Sequence, residues 1–236
     1  MNDSKIVAAF APGTREVVVT ADGSQTLQLA DSEVTYHSKY GAISESEHVY
    51  IGAGLQPFVG VEEPIRVFEM GFGTGLNAFL CYLEAKQTKI KIEYEGIEAY
   101  PLTKEDYRKL TFAHALRKSE LHESFQMMHQ APWNKTIRIG QFFSMIKHNG
   151  KLEEFTTSRL FHVVFFDAFA PAAQPELWSE EMFQKMHDLL YPNGILTTYC
   201  SKGEVRRNLE KVGFMIEKLP GPRGKREMIR AHKPAE

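Results

Sequence analysis

Several features scarce in this chain narrow its class before any motif is read. Cysteine occurs twice, at Cys81 and Cys200, each inside an apolar run. Both are expected to be buried thiols in a reducing compartment rather than a disulfide or a metal pair. No apolar stretch approaches the ~18 residues that a membrane-crossing helix requires. The apolar run after Lys5 stops at Pro12, so no secretory signal is expected and the expected location is the cytoplasm, with no membrane partner. A charge excess of one sign is also missing: 28 Lys+Arg oppose 30 Asp+Glu, a formal net charge of -2. Any contact with nucleic acid must therefore come from a local patch. His37 and His48 have no partner at metal-ligand spacing, so no metal is expected. Internal repeats and low-complexity segments are absent. What remains is an ordinary globular composition, 43% hydrophobic over 236 residues, enough for one large domain or a domain with an appendage.

The most informative stretch is Glu69-Met-Gly-Phe-Gly-Thr-Gly-Leu-Asn77. Residues 65–70 read as a short buried strand, and residues from Leu76 onward as a helix. Between them Gly71, Gly73 and Gly75 permit backbone angles that other residues avoid and let a ligand approach the main chain. A dinucleotide fingerprint would place its third glycine where Leu76 stands, and a phosphate loop would end in Lys-Ser or Lys-Thr; neither is present. An acid at the strand end followed by Gly-x-Gly-x-Gly resembles the first motif of class I S-adenosylmethionine (SAM) methyltransferases. SAM carries no phosphate and needs no cationic clamp.

Along the rest of the chain, 16–20 and 25–30 read as a β-hairpin turning at Asp22-Gly23. Residues 36–48 interleave Tyr, His, Ser and Glu and are compatible with a solvated connector or with a lid. Residues 89–98 read as a second strand ending on Glu98, an acid placed to accept both hydroxyls of a ribose. Helices are expected over 103–116 and 120–128, and a brief strand over 136–139. Gln141 follows, where many SAM enzymes carry an acid for the adenine amino group; its carbonyl is a weaker acceptor for the same role. Residues 160–166 form a continuous apolar run with one His, the pattern of a parallel strand buried on both faces, and it ends at Asp167. A helix over 182–190, a turn at Asn193-Gly194, a strand over 195–200 and a helix over 202–212 closed by Gly213 come next. Strands over 214–219 and 227–231 finish the chain. The expected fold is α/β: a class I SAM-dependent, Rossmann-like sheet with a terminal antiparallel hairpin and an N-terminal β-hairpin extension. Residues 1–60 form the extension and 61–236 the methyltransferase domain. Glu69, Glu98 and Asp167 then share the C-terminal edge of the sheet, where open α/β sheets bind ligands. Arg206, Arg207 and Lys211 on the penultimate helix, with Arg223, Lys225 and Arg226 in the following loop, make up a candidate phosphate-binding face.

Three runs together carry a closer resemblance: 69–77, Asp167-Ala-Phe-Ala-Pro171, and the ending Gly221-Pro-Arg-Gly-Lys-Arg-Glu-Met228. With Asp22-Gly-Ser and 36–48 they resemble the MnmC-like tRNA methyltransferase family over nearly the whole chain, in the stand-alone, MnmD-like form without an FAD oxidase domain. The resemblance implies SAM as cofactor, S-adenosylhomocysteine as its product, and neither FAD nor metal. It implies methylation of the primary amine of 5-aminomethyl-2-thiouridine at the tRNA wobble position. The partners implied are a tRNA anticodon stem-loop and a separate enzyme that supplies the aminomethyl group. Asp167 is then the expected catalytic residue, which accepts a hydrogen bond from the amine and orients its lone pair. Glu69, Gly71, Gly73, Gly75, Asn77, Glu98, Gln141, Asp167 and Tyr36 are the expected cofactor contacts, and Tyr36 or Phe169 is placed to stack on the flipped base. The competing expectations are a transferase acting on a small amine, with the basic cluster incidental, and a non-catalytic module of the same fold.

Overall fold

A computed structural model describes residues 15–30 and 32–235 of the chain. The segment on which the expectation of no secretory signal rests lies outside those residues. The expected N-terminal hairpin is present: β1 (Arg15–Val19) and β2 (Gln25–Leu29) pair antiparallel with Val17 opposite Leu27. Its turn is held by Asp22, whose Oδ1 accepts from Thr20 Oγ1 at 2.7 Å and from the Ser24 amide at 3.0 Å. Gly23 takes φ 81 there, a conformation that favours glycine.

A second sheet of eight strands forms the body of the molecule. Its members are β3 (Ile65–Met70), β4 (Ile92–Glu98), β5 (Ile137–Ile139), β6 (Phe143–Asn149), β7 (Phe161–Phe166), β8 (Leu190–Thr198), β9 (Met215–Pro220) and β10 (Glu227–His232), in spatial order β5-β6-β4-β3-β7-β8-β10-β9. The five central strands run parallel, β5 closes one edge antiparallel, and β10 is inserted antiparallel between β8 and β9. The chain builds outward from β3 in one direction through β4 and β6, then returns to build the other side through β7 and β8. That reversal opens a crevice beyond the C-terminal ends of β3 and β7. Alternate residues of these strands feed two hydrophobic clusters, Val67, Val163 and Phe165 into one and Phe68, Val164 and Phe166 into the other. The sheet is thus covered on both faces, as its continuous apolar runs require.

Within residues 36–48 the chain enters a helix that the sequence reading did not anticipate, α1 (Ala42–Ser46), which continues as the π-helical stretch Glu47–Leu55. It packs on β7 and β8. Gly54 allows the close approach, because a Cβ there would lie 2.9 Å from the Phe165 ring. After β3 comes α2 (Leu76–Thr88). The single helix expected over 103–116 is two, α3 (Lys104–Arg108) and α4 (Phe112–Ala115). At the break Thr111 takes φ -119 and ψ 37, and its amide and hydroxyl both donate to Gln25 Oε1 at 2.9 and 3.0 Å, so a bond to the hairpin replaces a helical turn. Helix α5 (His122–Gln130) follows, then α6 (Glu180–Asp188) and α7 (Gly203–Lys211).

Strand β6 also escaped the sequence reading. Its inward positions are Phe143, Met145 and Lys147, and a lysine in the buried phase hides the alternation. Asn193-Gly194 does not separate helix from strand; it sits inside β8, where the register with β7 is irregular. Cys81 and Cys200 are both free and buried, and burial pushes both thiols up, which leaves them inert. Among the described residues no helix is long and apolar enough to cross a membrane.

Candidate active site

The crevice at the strand ends is a cavity of about 990 Å³ counted to its open mouth, and Glu69, Gly71, Gly73, Asn77, Glu98 and Asp167 all line it. Its floor is the loop from β3 to α2. Gly71 takes φ 92, and a Cβ there would stand 2.8 Å from the Asp167 carbonyl oxygen, so the loop crosses the end of β7 at backbone contact. Gly75 caps α2 with φ 72. In the first turn of that helix, Asn77 Nδ2 donates to Glu69 Oε1 at 2.6 Å and to Asp167 Oδ2 at 2.8 Å. One amide thereby joins the carboxylates that end two neighbouring strands. Tyr50, on the π-helical stretch, donates its hydroxyl to Asp167 Oδ1 at 2.7 Å. Glu98 accepts from the Gly73 amide at 2.8 Å and the Tyr100 amide at 2.7 Å, which fixes the glycine loop against the end of β4.

Burial dominates the electrostatics. It pushes Glu69 well above the usual carboxylate range, and the neighbouring Asp167 charge adds to the effect. It pushes Asp167 up to about 7, against the hydrogen bonds from Tyr50 and Asn77, which favour the charged form. Glu98 is raised by burial as well, opposed by the backbone donors of Tyr100 and Gly73. Two buried atoms in this cluster, Glu69 Oε2 and Asn77 Oδ1, have no hydrogen-bond partner. Buried acceptors left open call for a donor. The wall therefore offers oxygen acceptors, with Lys151 the cation among its lining residues. That set of acceptors suits a ligand bearing an ammonium and hydroxyls, and it disfavours a polyphosphate.

Tyr36 does reach the site. Its ring lies over Gly73, where a Cβ would approach Cδ1 to 3.3 Å, and its hydroxyl accepts from Arg15 Nε at 2.9 Å. Phe169 meets it edge-on, with centroids 5.0 Å apart. Gln141 does not reach it. It occupies an exposed turn before β6, at the end of the sheet opposite the cavity, because β5 and β6 form a hairpin where one strand was expected. The residues that follow β6 on the cavity side are Gly150, Lys151 and Leu152.

The basic residues divide into two groups. Arg223, Lys225 and Arg226 stand on the loop between β9 and β10, at the cavity edge of the sheet, because the start of β10 pairs with the end of β8, Ile229 opposite Thr198. On α7, Lys211 pairs with Glu180, Arg206 lies 3.9 Å from Glu210, and Arg207 is exposed. Sequence reasoning missed Tyr50, whose apolar neighbours Val49 and Ile51 mark only a core segment. It also missed His37 and His129 as supports of the glycine loop. His129 Nε2 bonds the Thr74 carbonyl at 2.9 Å and its ring stacks on Tyr107 at 4.6 Å, while His37 Nε2 lies 3.3 Å from Thr74 Oγ1. Burial pulls His129 down to about 3 and His37 to about 4, so both are neutral. Among the described residues no group of three or more His, Cys, Asp or Glu is arranged to hold a metal.

The bifunctional tRNA 5-methylaminomethyl-2-thiouridine biosynthesis protein MnmC of Pseudomonas savastanoi pv. phaseolicola is 29% identical, over 92% of this chain and 34% of that protein. The protein of the same name from Stutzerimonas stutzeri is 30% identical, over 84% of this chain and 32% of its own length. The chain thus spans about a third of the length of these relatives. The crystal structure of MNMC2 from Aquifex aeolicus superposes with a TM-score of 0.76 at 25% identity, over 99% of this chain and 77% of that one. Spermidine synthase from Thermotoga maritima shares the fold alone, with a TM-score of 0.54 at 15% identity. A family model described as S-adenosyl-L-methionine-dependent methyltransferase matches residues 112–234, the half of the chain that contains Asp167 and the terminal hairpin. With the glycine loop and its carboxylates gathered at the end of the same sheet, the chain belongs to the S-adenosyl-L-methionine-dependent methyltransferases.

Proposed function

We propose that this protein methylates the primary amine of 5-aminomethyl-2-thiouridine at the wobble position of tRNA, giving 5-methylaminomethyl-2-thiouridine. The observation that carries the reading is Asp167: a buried carboxylate at the end of β7, held on both oxygens by Tyr50 and Asn77 and raised by burial to about 7. A carboxyl with that pKa is matched to taking a proton near neutral pH. The names of the similar proteins point to the same substrate class.

The residues present fit SAM. The open acceptors Glu69 Oε2 and Asn77 Oδ1 would hold its methionine ammonium, and Glu98, with lone pairs left beyond its backbone bonds, would hold the ribose diol. Gly71 and Gly73 would admit it against the main chain, with Tyr36 as the wall. When bound, SAM supplies an electrophilic methyl on a positively charged sulfur. The chain's own residues prepare the acceptor. A primary ammonium has no free lone pair, so Asp167 accepts its proton, or the hydrogen bond of the neutral amine, and orients the nitrogen. Tyr50 and Asn77 fix the carboxylate so that its position is not lost to rotation. Phe169 and Tyr36, in edge-on contact, would wall that end of the cavity. Arg223, Arg226 and Arg207 would meet phosphates of the anticodon arm.

The test is transfer of tritium from methyl-labelled SAM into tRNA carrying 5-aminomethyl-2-thiouridine, followed by nucleoside mass spectrometry. Label in the methylaminomethyl nucleoside is expected. No label in that tRNA, with transfer to free small amines instead, overturns the assignment.

A further inference from the structure

Lys225 places its own primary ammonium 2.5 Å from Glu45 Oε2 and 3.8 Å from the centroid of the Tyr199 ring. A carboxylate on one side and an aromatic face on the other is the arrangement by which proteins recognise an ammonium group. The cage is pre-formed. Glu45 is buried, its side chain only 8% exposed, and its other oxygen accepts from the Ser38 amide at 3.0 Å. Tyr199 is anchored by its hydroxyl, which donates at 2.7 Å to the carbonyl of Ala168, the residue after Asp167. The cage and the proposed base form one electrostatic cluster. Glu45 pushes Asp167 up and Lys225 pulls it down, while Tyr50 and Tyr199 feel both carboxylates.

The occupant is less fixed than the cage. Lys225 is 31% exposed along its side chain and stands on a four-carbon stem between Gly224 and the exposed Arg226. Its ammonium has somewhere else to go, since a phosphate approaching Arg223 and Arg226 would draw it outward. Glu45, tied to Ser38, stays behind with an unpaired charge that a new ammonium would satisfy.

We propose that Glu45 and the Tyr199 ring form the recognition subsite for the ammonium form of the acceptor, and that Lys225 occupies it as a surrogate until the acceptor arrives. The inference rests on the amine-acceptor reading above and adds a specificity device to it. The acceptor docks charged on Glu45, passes one proton to the Asp167 carboxylate and from there to water, and is left with a free lone pair. Groups without a primary ammonium find the cage still filled by Lys225.

As a surrogate Lys225 competes with the acceptor, whereas as a direct contact it would assist binding, and the two roles predict opposite signs. Isothermal titration of the full chain saturated with S-adenosylhomocysteine, at pH 8, uses the nucleoside 5-aminomethyluridine, which has no phosphate. Lys225→Met is expected to tighten its binding about fivefold, because a competitor is removed. Glu45→Gln is expected to weaken it about tenfold, the scale of one lost hydrogen bond to a charged group. The analogue 5-hydroxymethyluridine should respond to neither change, and unaltered affinity for S-adenosylhomocysteine certifies that both variants fold. Nucleoside binding that weakens or stays constant in Lys225→Met overturns the surrogate role. Wild-type affinity in Glu45→Gln overturns the subsite. A parallel titration with propylammonium separates the two levels. If the wild type transfers no methyl to aminomethyl tRNA while propylammonium binding still shifts in both variants, the substrate assignment fails and the subsite stands. If transfer is intact and neither variant alters amine binding, the subsite fails alone.

Discussion

Tyr50→Phe isolates the device that sets the proposed base. The substitution keeps the ring, which lies 5.3 Å from Phe165 in the core, and removes the hydroxyl that donates to Asp167 Oδ1 at 2.7 Å. A hydrogen bond to a charged group contributes about 1.5–3 kcal/mol, and one pKa unit corresponds to about 1.4 kcal/mol. The lost donor favoured the charged form, so its removal raises Asp167 from about 7 to roughly 8–9. At pH 7 the ionised fraction then falls from near one half to one in ten or less, and methyl transfer should drop roughly 5- to 50-fold. At pH 9 most of that loss should be recovered, because the carboxylate is ionised again. The assay is the pH profile of single-turnover tritium transfer with both substrates saturating. An acid limb that stays in place, or a loss equal at every pH, refutes the assignment of Asp167 as the titrating base.

Three further outcomes follow from the same geometry. Gly71→Ala should abolish S-adenosylhomocysteine binding by calorimetry and lower stability by about 1–3 kcal/mol, because its Cβ meets the Asp167 carbonyl at 2.8 Å and φ is 92; Gly73→Ala, at φ 48 with its nearest neighbour a Tyr36 ring carbon at 3.3 Å, should be the milder change. At Asp22 burial pushes the pKa upward, but bonds from Ser24, Ser44 and Thr20 outweigh it and hold the group at about 2. Its stabilisation is therefore present above pH 4 and fades as pH falls toward 2, so Asp22→Ala should cost about 1 kcal/mol in urea at pH 7, the figure discounted for solvent screening, and less at pH 3. Replacing Arg223 and Arg226 together by Ala should reduce the salt dependence of tRNA binding by about 1.4–1.8 in log–log slope, measured by filter binding across a salt series; an unchanged slope removes the loop from the nucleic-acid contact.

Much of the site was legible along the chain because its carriers are local. An acid ending an apolar strand, followed by alternating glycines, determines both a tight turn and a floor without side chains. The run into Asp167 is too apolar for anything but a strand buried on both faces, and such strands expose their chemistry only at their ends. Glu69, Glu98 and Asp167 meet for that reason, and the basic loop of the terminal hairpin shares their edge because an antiparallel insertion must turn there. Hydrophobic periodicity and turn chemistry act over a few residues and are written in neighbours. The partnerships that tune the site are not. Tyr50 reaches Asp167 across 117 positions and Lys225 reaches Glu45 across 180, separations at which sequence carries no distance information. Lys147 donates to the His129 carbonyl at 2.7 Å from a buried strand position, a placement that only a formed interior makes tolerable. Gln141 shows the same limit from the other side: its spacing suited an adenine contact, but the β5–β6 hairpin carries it to the far end of the sheet. The sequence by itself determined the central strands β3, β4 and β7, the terminal hairpin, the glycine loop and which strand ends bear acids, but not β6. Only the tertiary structure decided which buried polar groups face one another, because burial and the charge states it imposes belong to the assembled layers and not to any segment of the chain.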